Sequence, residues 1–245
     1  MALLIPIGVD IGQLHDPSAI AVLQPSSSNP NDATVHKVRR LRRLPLRMDY
    51  PAQATQLSLL IHQLHQHITQ TLDPRPRFEV RMDVTGVGRP VYDLLASTLH
   101  RPDTRLIAVT LTPGADANLH GQEWHVPKQD LISNLVTLVQ TNRITFPAND
   151  PETPALLGEL RDFRAHKTAA DSISSGAKAG SHDDLVIALG LAALNADLPT
   201  RRTRVRGSNI SGSRSASRTT PIPGARLRGG TLVTTPDGQV AWEPR

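Results

Sequence analysis

The order of its strand-like and helix-like segments constrains this chain most. Residues 4 to 10, LIPIGVD, form an apolar run closed by Asp10. After the glycine-containing turn IGQLHDPS comes a second run, AIAVL, which together read as a hairpin. A third segment, ATVHKVRRLRRLPL, repeats Val35, Val38, Leu41 and Leu44 every three residues as a helix would, but its β-branched content and the meander before it favour a strand. Leu57, Leu60, Ile61, Leu64, Ile68 and Leu72 then fall on one face of an amphipathic helix.

From there strands and helices alternate. RFEVRMD alternates so that Phe78, Val80 and Met82 share one face, and it closes on Asp83. The loop TGVGRP leads to a helix from about 90 to 99 and to the strand RLIAVTL. A long loop follows, with a helix from near Pro127 carrying Leu131, Leu135, Leu138 and Val139. A short strand RITF, the helix TPALLGELRDF and a last helix DDLVIALGLAALNA complete the body. Three meandering strands followed by alternation predict an α/β fold: a mixed sheet with helices on its faces.

Charge divides the chain at residue 199. Residues 199–245 hold nine Arg and two acids, leaving 18 basic and 20 acidic residues before them, so the body is about −2 and the tail about +7. The expected organisation is a domain over 1–198 and a basic Arg/Ser/Gly-rich tail over 199–245. Most of that tail has too little apolar surface to offset its ordering entropy and is expected to be disordered, while TLVTTPDGQVAW reads as a short hairpin around Pro236, Asp237 and Gly238. There are no cysteines, so thiolate metal sites and cysteine nucleophiles are excluded. With only seven aromatic residues, stacking platforms for single strands are not expected to dominate. Neither a membrane span nor a secretory signal is recognisable, and a soluble intracellular protein is expected.

In such sheets ligands gather beyond the carboxyl ends of the parallel strands. Asp10 and Asp83 close two strands expected to be neighbours, about 5 Å apart, and Asp183 with Asp184 opens the last helix. Like charges at ~4 Å repel by about 4 kcal/mol at an effective dielectric near 20, so convergence of these carboxylates calls for a divalent cation. Oxygen-only ligands suit Mg²⁺ or Mn²⁺, and a pair of such ions ~4 Å apart suits in-line hydrolysis of a phosphodiester. Taken singly, each aspartate also reads as a turn former or helix cap.

With these residues in place the chain resembles a family, the nuclease domain of the large terminase subunit of tailed bacteriophages, which has a ribonuclease H-like fold. The resemblance rests on GVDIGQLHDPSAIAVL, RLPLRMDYPAQATQLSLLI, MDVTGVGRPVYDLL, HVPKQDLISNLVTLVQTNRI and SHDDLVIALGLAAL. It implies that Asp10, Asp83, Asp183 and Asp184 are the catalytic, metal-binding carboxylates, with Asp10 bridging two Mg²⁺ or Mn²⁺ ions. It implies an endonuclease that cuts concatemeric double-stranded DNA during genome packaging in the cytoplasm of a bacterial host, leaving 5′-phosphate and 3′-hydroxyl ends. No GxxxxGK[ST] phosphate loop is present, so translocation is expected to belong to a separate packaging ATPase, with a small terminase subunit or portal as further partners. Two alternatives stand beside this: a resolvase- or transposase-type nuclease of the same fold, and a catalytically silent DNA-binding packaging module.

His182, before the acidic pair, is a candidate supporting residue. Arg39, Arg40, Arg42 and Arg43 in the third segment, Lys128 at a helix start, and Arg201, Arg202, Arg204 and Arg206 in the tail are candidate phosphate contacts. No base-reading element is recognisable, so sequence-independent, salt-sensitive DNA binding is expected. The arginine-rich third segment also reads as a charged edge strand that resists aggregation.

Overall fold

The structure is a computed structural model and describes residues 3–26, 34–71, 75–114, 116–169, 183–194, 230–234 and 239–244. Strands β1 (Leu4–Asp10), β2 (Ala19–Ser26) and β3 (Val35–Arg43) form the expected antiparallel meander. β4 (Arg77–Asp83) and β5 (Thr104–Thr112) then add parallel to β1 and to each other. The order β3-β2-β1-β4-β5, three antiparallel strands followed by parallel ones, is the mixed sheet the sequence leads one to expect. β8 (Ile144–Pro147) lies parallel to β3 at the other side.

Helices cover both faces. α1 (Tyr50–Thr71) and α2 (Gly88–Thr98) pack on one face, where Leu57, Ile61, Val91 and Leu95 meet Ile5, Ile7, Val9, Phe78, Val80 and Met82. The side chain of Asp49 begins α1 by accepting the Ala52 N–H at 2.7 Å. On the opposite face lie α3 (Lys128–Gln140), α4 (Thr153–Ala169) and α5 (Asp184–Ala193), packed on β2, β3, β5 and β8. Every residue of α5 is buried, as its continuous apolar sequence requires.

The three-residue period of the third segment has a structural cause. Val22 pairs with Arg40 and Leu23 with Val38, so Arg39 is an extra residue in a β-bulge. The bulge changes the spacing of inward positions from two to three. Val38 and Leu41 therefore enter the same core, and Arg43, two residues on, faces α4 and α5.

Two features depart from the sequence expectation. The long loop before α3 contains a hairpin, β6 (Asn118–His120) with β7 (Glu123–Pro127), and β7 joins β5 in parallel. Three exposed residues carry little pattern, so β6 is defined by its partner alone, although the buried Trp124 and Val126 of β7 do alternate. At the C-terminus β9 (Gly230–Thr234) and β10 (Gln239–Pro244) form the expected hairpin. Its turn lies outside the described residues, as does the segment 195–229 that leads to it. Unforeseen is the pairing of β10 with β8, which places these strands in the same ten-stranded sheet as the body.

Candidate active site

Strand alternation decides which side chains reach the site. Ile5, Ile7 and Val9 of β1 and Phe78, Val80 and Met82 of β4 point to the α1/α2 core. The intervening residues Gly8, Asp10, Arg81 and Asp83 therefore point to α5. Val9 pairs with Met82, so Asp10 and Asp83 sit side by side one step further on.

Helix α5 supplies the other half, and glycine allows it to come close. A Cβ on Gly8 would lie 1.8 Å from the Ala188 carbonyl oxygen, and one on Gly190 would lie 2.2 Å from a Leu131 methyl. α5 thus rests directly on the β1 backbone with α3 against its other side. Its C-terminal carbonyls are held by Arg81, only 1% exposed, which donates to Leu191 O at 3.2 Å, Ala192 O at 3.1 Å and Leu194 O. The Arg81 Nε donates to Glu79 Oε1 at 2.8 Å. With its far end held in this way, α5 presents Asp183 and Asp184 toward the ends of β1 and β4.

The electrostatics record the convergence. Desolvation pushes the Asp10 carboxyl well above the usual carboxylate range, and the charges of Asp83, Asp184 and Asp183 push it further, with Lys128 partly offsetting them. Desolvation also raises Asp83, against the Thr85 N–H that donates to its Oδ1 at 2.7 Å and the charge of Lys128. Behind Asp83, a Cβ on Gly88 would lie 2.1 Å from the Asp83 carbonyl oxygen, so only glycine lets α2 start there. Lys128 Nζ donates to Asp183 Oδ2 at 2.7 Å. A lysine in the first turn of a helix opposes the macrodipole, and here the surrounding carboxylates offset that cost.

The donor set is all carboxylate, which fits a hard divalent cation, and the mutual repulsion at Asp10 is what such a cation would relieve. The carboxylates are near neighbours and not a closed shell. Among the described residues no three His, Asp or Glu side chains enclose a metal position as they stand, and Asp183 is engaged by Lys128.

Comparison with known proteins finds a local likeness. Over 65 residues, 26% of this chain, it is 40% identical to the large terminase subunit of Thermus phage G20c, and equally to that of Thermus virus P23-45. The chain resembles large terminase subunits. The matched stretch spans 13% of the length of each of these relatives. No family model matches the chain. Among solved structures, the large terminase nuclease from thermophilic phage G20c superposes with a TM-score of 0.45 and 22% identity, covering 78% of this chain and 81% of that one. The Mn-soaked, inhibitor-bound human cytomegalovirus terminase nuclease domain gives 0.47 and 13%, with 78% and 81% covered.

The remaining residues singled out in the sequence fall in different places. Arg39 and Arg40 are exposed on β3, and Arg42 is half-buried. Arg43 departs from the expected phosphate contact: it turns inward, its guanidinium bonding Glu159 and, at 3.1 Å, Glu152, with its Nε 3.9 Å from Asp184. The bulge at Arg39 is the reason, since it sets the face on which Arg43 emerges. Lys128, expected on DNA, lies within the acidic cluster. His182, Arg201, Arg202, Arg204 and Arg206 lie outside the described residues. No described helix is long and apolar enough to cross a membrane.

Sequence reasoning missed two residues. Glu159 is 6% exposed, and burial pushes its carboxyl up to about 7, against the Val186 N–H and Arg43 that lower it. It stands three residues after the buried Leu156, so the helical pattern does place it on the inner face of α4. Arg81 was hidden by its strand. β4 lies between β1 and β5 and is covered on both sides, so a residue on its apparently polar face is buried as well.

Proposed function

We propose that this chain is a metal-dependent endonuclease that hydrolyses phosphodiester bonds of double-stranded DNA with two Mg²⁺ or Mn²⁺ ions, as a terminase does when it cleaves concatemeric phage DNA for packaging. One observation carries the reading: Asp10 and Asp83 close adjacent parallel strands beside the start of α5, where Asp183 and Asp184 stand, and burial together with these charges raises Asp10. The local likeness to large terminase subunits supports the packaging context.

In this reading Asp10, Asp83, Asp183 and Asp184 would hold the ions. Bound Mg²⁺ or Mn²⁺ supplies Lewis acidity toward the scissile phosphate and lowers the pKa of the attacking water. Asp83 is kept in place by the Thr85 N–H. Lys128 donates to Asp183 and would bring its positive charge to a phosphate oxygen beside the carboxylates. DNA is the direct partner, with a packaging motor, small terminase subunit and portal as the assembly around it.

A second reading has an observation of its own. The Lys128–Asp183 pair and the open arrangement of carboxylates also suit a DNA-binding packaging module that no longer hydrolyses. One experiment separates the two. Wild-type protein with plasmid and Mn²⁺ is expected to cut, and Asp83→Asn to lose more than about 100-fold in rate, beyond the 10- to 100-fold that loss of a supporting partner costs. A wild-type protein that neither cuts nor is stabilised by Mn²⁺ establishes the silent module, and cleavage undiminished in Asp83→Asn removes the site assignment.

A further inference from the structure

The start of α5 is built in an unusual way. Asp183 occupies its N-cap position, where an aspartate ordinarily accepts an N–H from the first turn. Its side chain makes no capping hydrogen bond, and its Oδ2 accepts from Lys128 at 2.7 Å instead. The amide left over, Val186 N–H, donates to Glu159 Oε2 at 3.1 Å. Glu159 belongs to α4, 27 residues away in sequence, and its other oxygen is held by Arg43. Arg43 in turn is fixed by Glu152 at 3.1 Å. The helix therefore has a side-chain cap, supplied from outside.

We propose that Glu159 is a positioning residue that caps α5 in place of Asp183, so that the Asp183 carboxylate is directed to the acidic site and not folded back on its own helix. The role presupposes the hydrolytic reading, because it matters only if Asp183 serves a metal. A helix N-terminus has several unpaired N–H groups, and an aspartate at its cap is normally drawn to them. Supplying a buried carboxylate from a second helix removes that competition. Arg43 orients this carboxylate, and the bulge at Arg39 puts Arg43 on the face where it can do so.

The test uses the full chain with two substitutions, Glu159→Leu and Glu159→Gln. Glu159→Leu is expected to weaken Mn²⁺ binding by about 10- to 100-fold, the range for residues that orient a ligand, and to lower kcat while KM for DNA stays within about twofold. Crystals of metal-free Glu159→Leu are expected to show the Asp183 carboxylate on the Val186 N–H. Glu159→Gln keeps an oxygen able to accept that N–H and is expected to hold Mn²⁺ affinity within about threefold of wild type. A lower melting temperature with wild-type Mn²⁺ affinity and Asp183 still on Lys128 would overturn the proposal, leaving Glu159 as packing only. Should Glu159→Leu not fold, Glu159→Asp, too short by one methylene to reach Val186, carries the same expectation. A wild-type protein that binds no Mn²⁺ sinks the hydrolytic reading alone, and the position of Asp183 in the variant crystals still decides the cap.

Discussion

Asp10 shows at the scale of one residue what the fold spends its stability on. Its carboxyl and that of Glu159 are both raised, chiefly by desolvation, so each binds a proton more tightly in the folded chain than in the unfolded one. Such a group contributes stability below its unfolded pKa and loses it as pH rises through the folded value. For Glu159 that window runs from the ordinary 4.5 to about 7. Metal-free protein is accordingly expected to lose urea resistance across this interval, and Glu159→Gln to lose less; parallel slopes in a series of urea midpoints would contradict the assignment. The placement of the four aspartates at one end of the sheet was legible in the sequence because they stand at the ends of well-patterned elements. Glu159 and Arg43 were not singled out for these roles, since their partners lie more than 20 residues away and are set by a bulge that no local pattern announces.

Among the elements, α5 is the one on which the site depends. Its apolar sequence predicts burial, yet nothing local says that its last carbonyls end on a strand arginine. Arg81→Met removes the guanidinium that donates to the Leu191, Ala192 and Leu194 carbonyls and to Glu79, leaving Leu191 O with the Leu194 N–H at 3.3 Å and Glu79 with Arg105 at 3.7 Å. Breaking a buried charge pair in this way costs about 3–5 kcal/mol. Equilibrium urea unfolding is expected to show a loss of that size, and a loss below about 1 kcal/mol would mean that the helix end finds other donors. β3 teaches the complementary lesson. Its period of three imitates a helix, and only its β-branched residues and its place in the meander point to a strand, because one inserted residue rewrites the alternation. β6 escaped notice for a simpler reason: three exposed residues have no inner face to reveal.

For the whole molecule, the mixed sheet followed from the alternation of elements, whereas the attachment of β10 to β8 requires a partner some 90 residues distant and left no mark in the sequence. Charge is distributed as unevenly as structure. The body carries a charge near −2 and the tail one near +7, and in the proposed function the tail would attract a polyanion. Replacing Arg201, Arg202, Arg204 and Arg206 by Gln is expected to flatten the dependence of log affinity on log salt, by up to about 0.9 for each phosphate contact removed, without altering Mn²⁺ affinity. An unchanged salt slope in a filter-binding or fluorescence titration would assign DNA attraction to the body, where Arg39 and Arg40 are exposed.

In the proposed function Asp10, Asp83, Asp183 and Asp184 form one cation-holding pocket. A crystal of the full chain soaked in Mn²⁺ and read for anomalous scattering tests it most directly. Two peaks about 4 Å apart, both against Asp10, with Asp183 drawn from Lys128, are the predicted result. A fully soaked crystal with no peak between the strand ends and α5, and Asp183 still on Lys128, would contradict it.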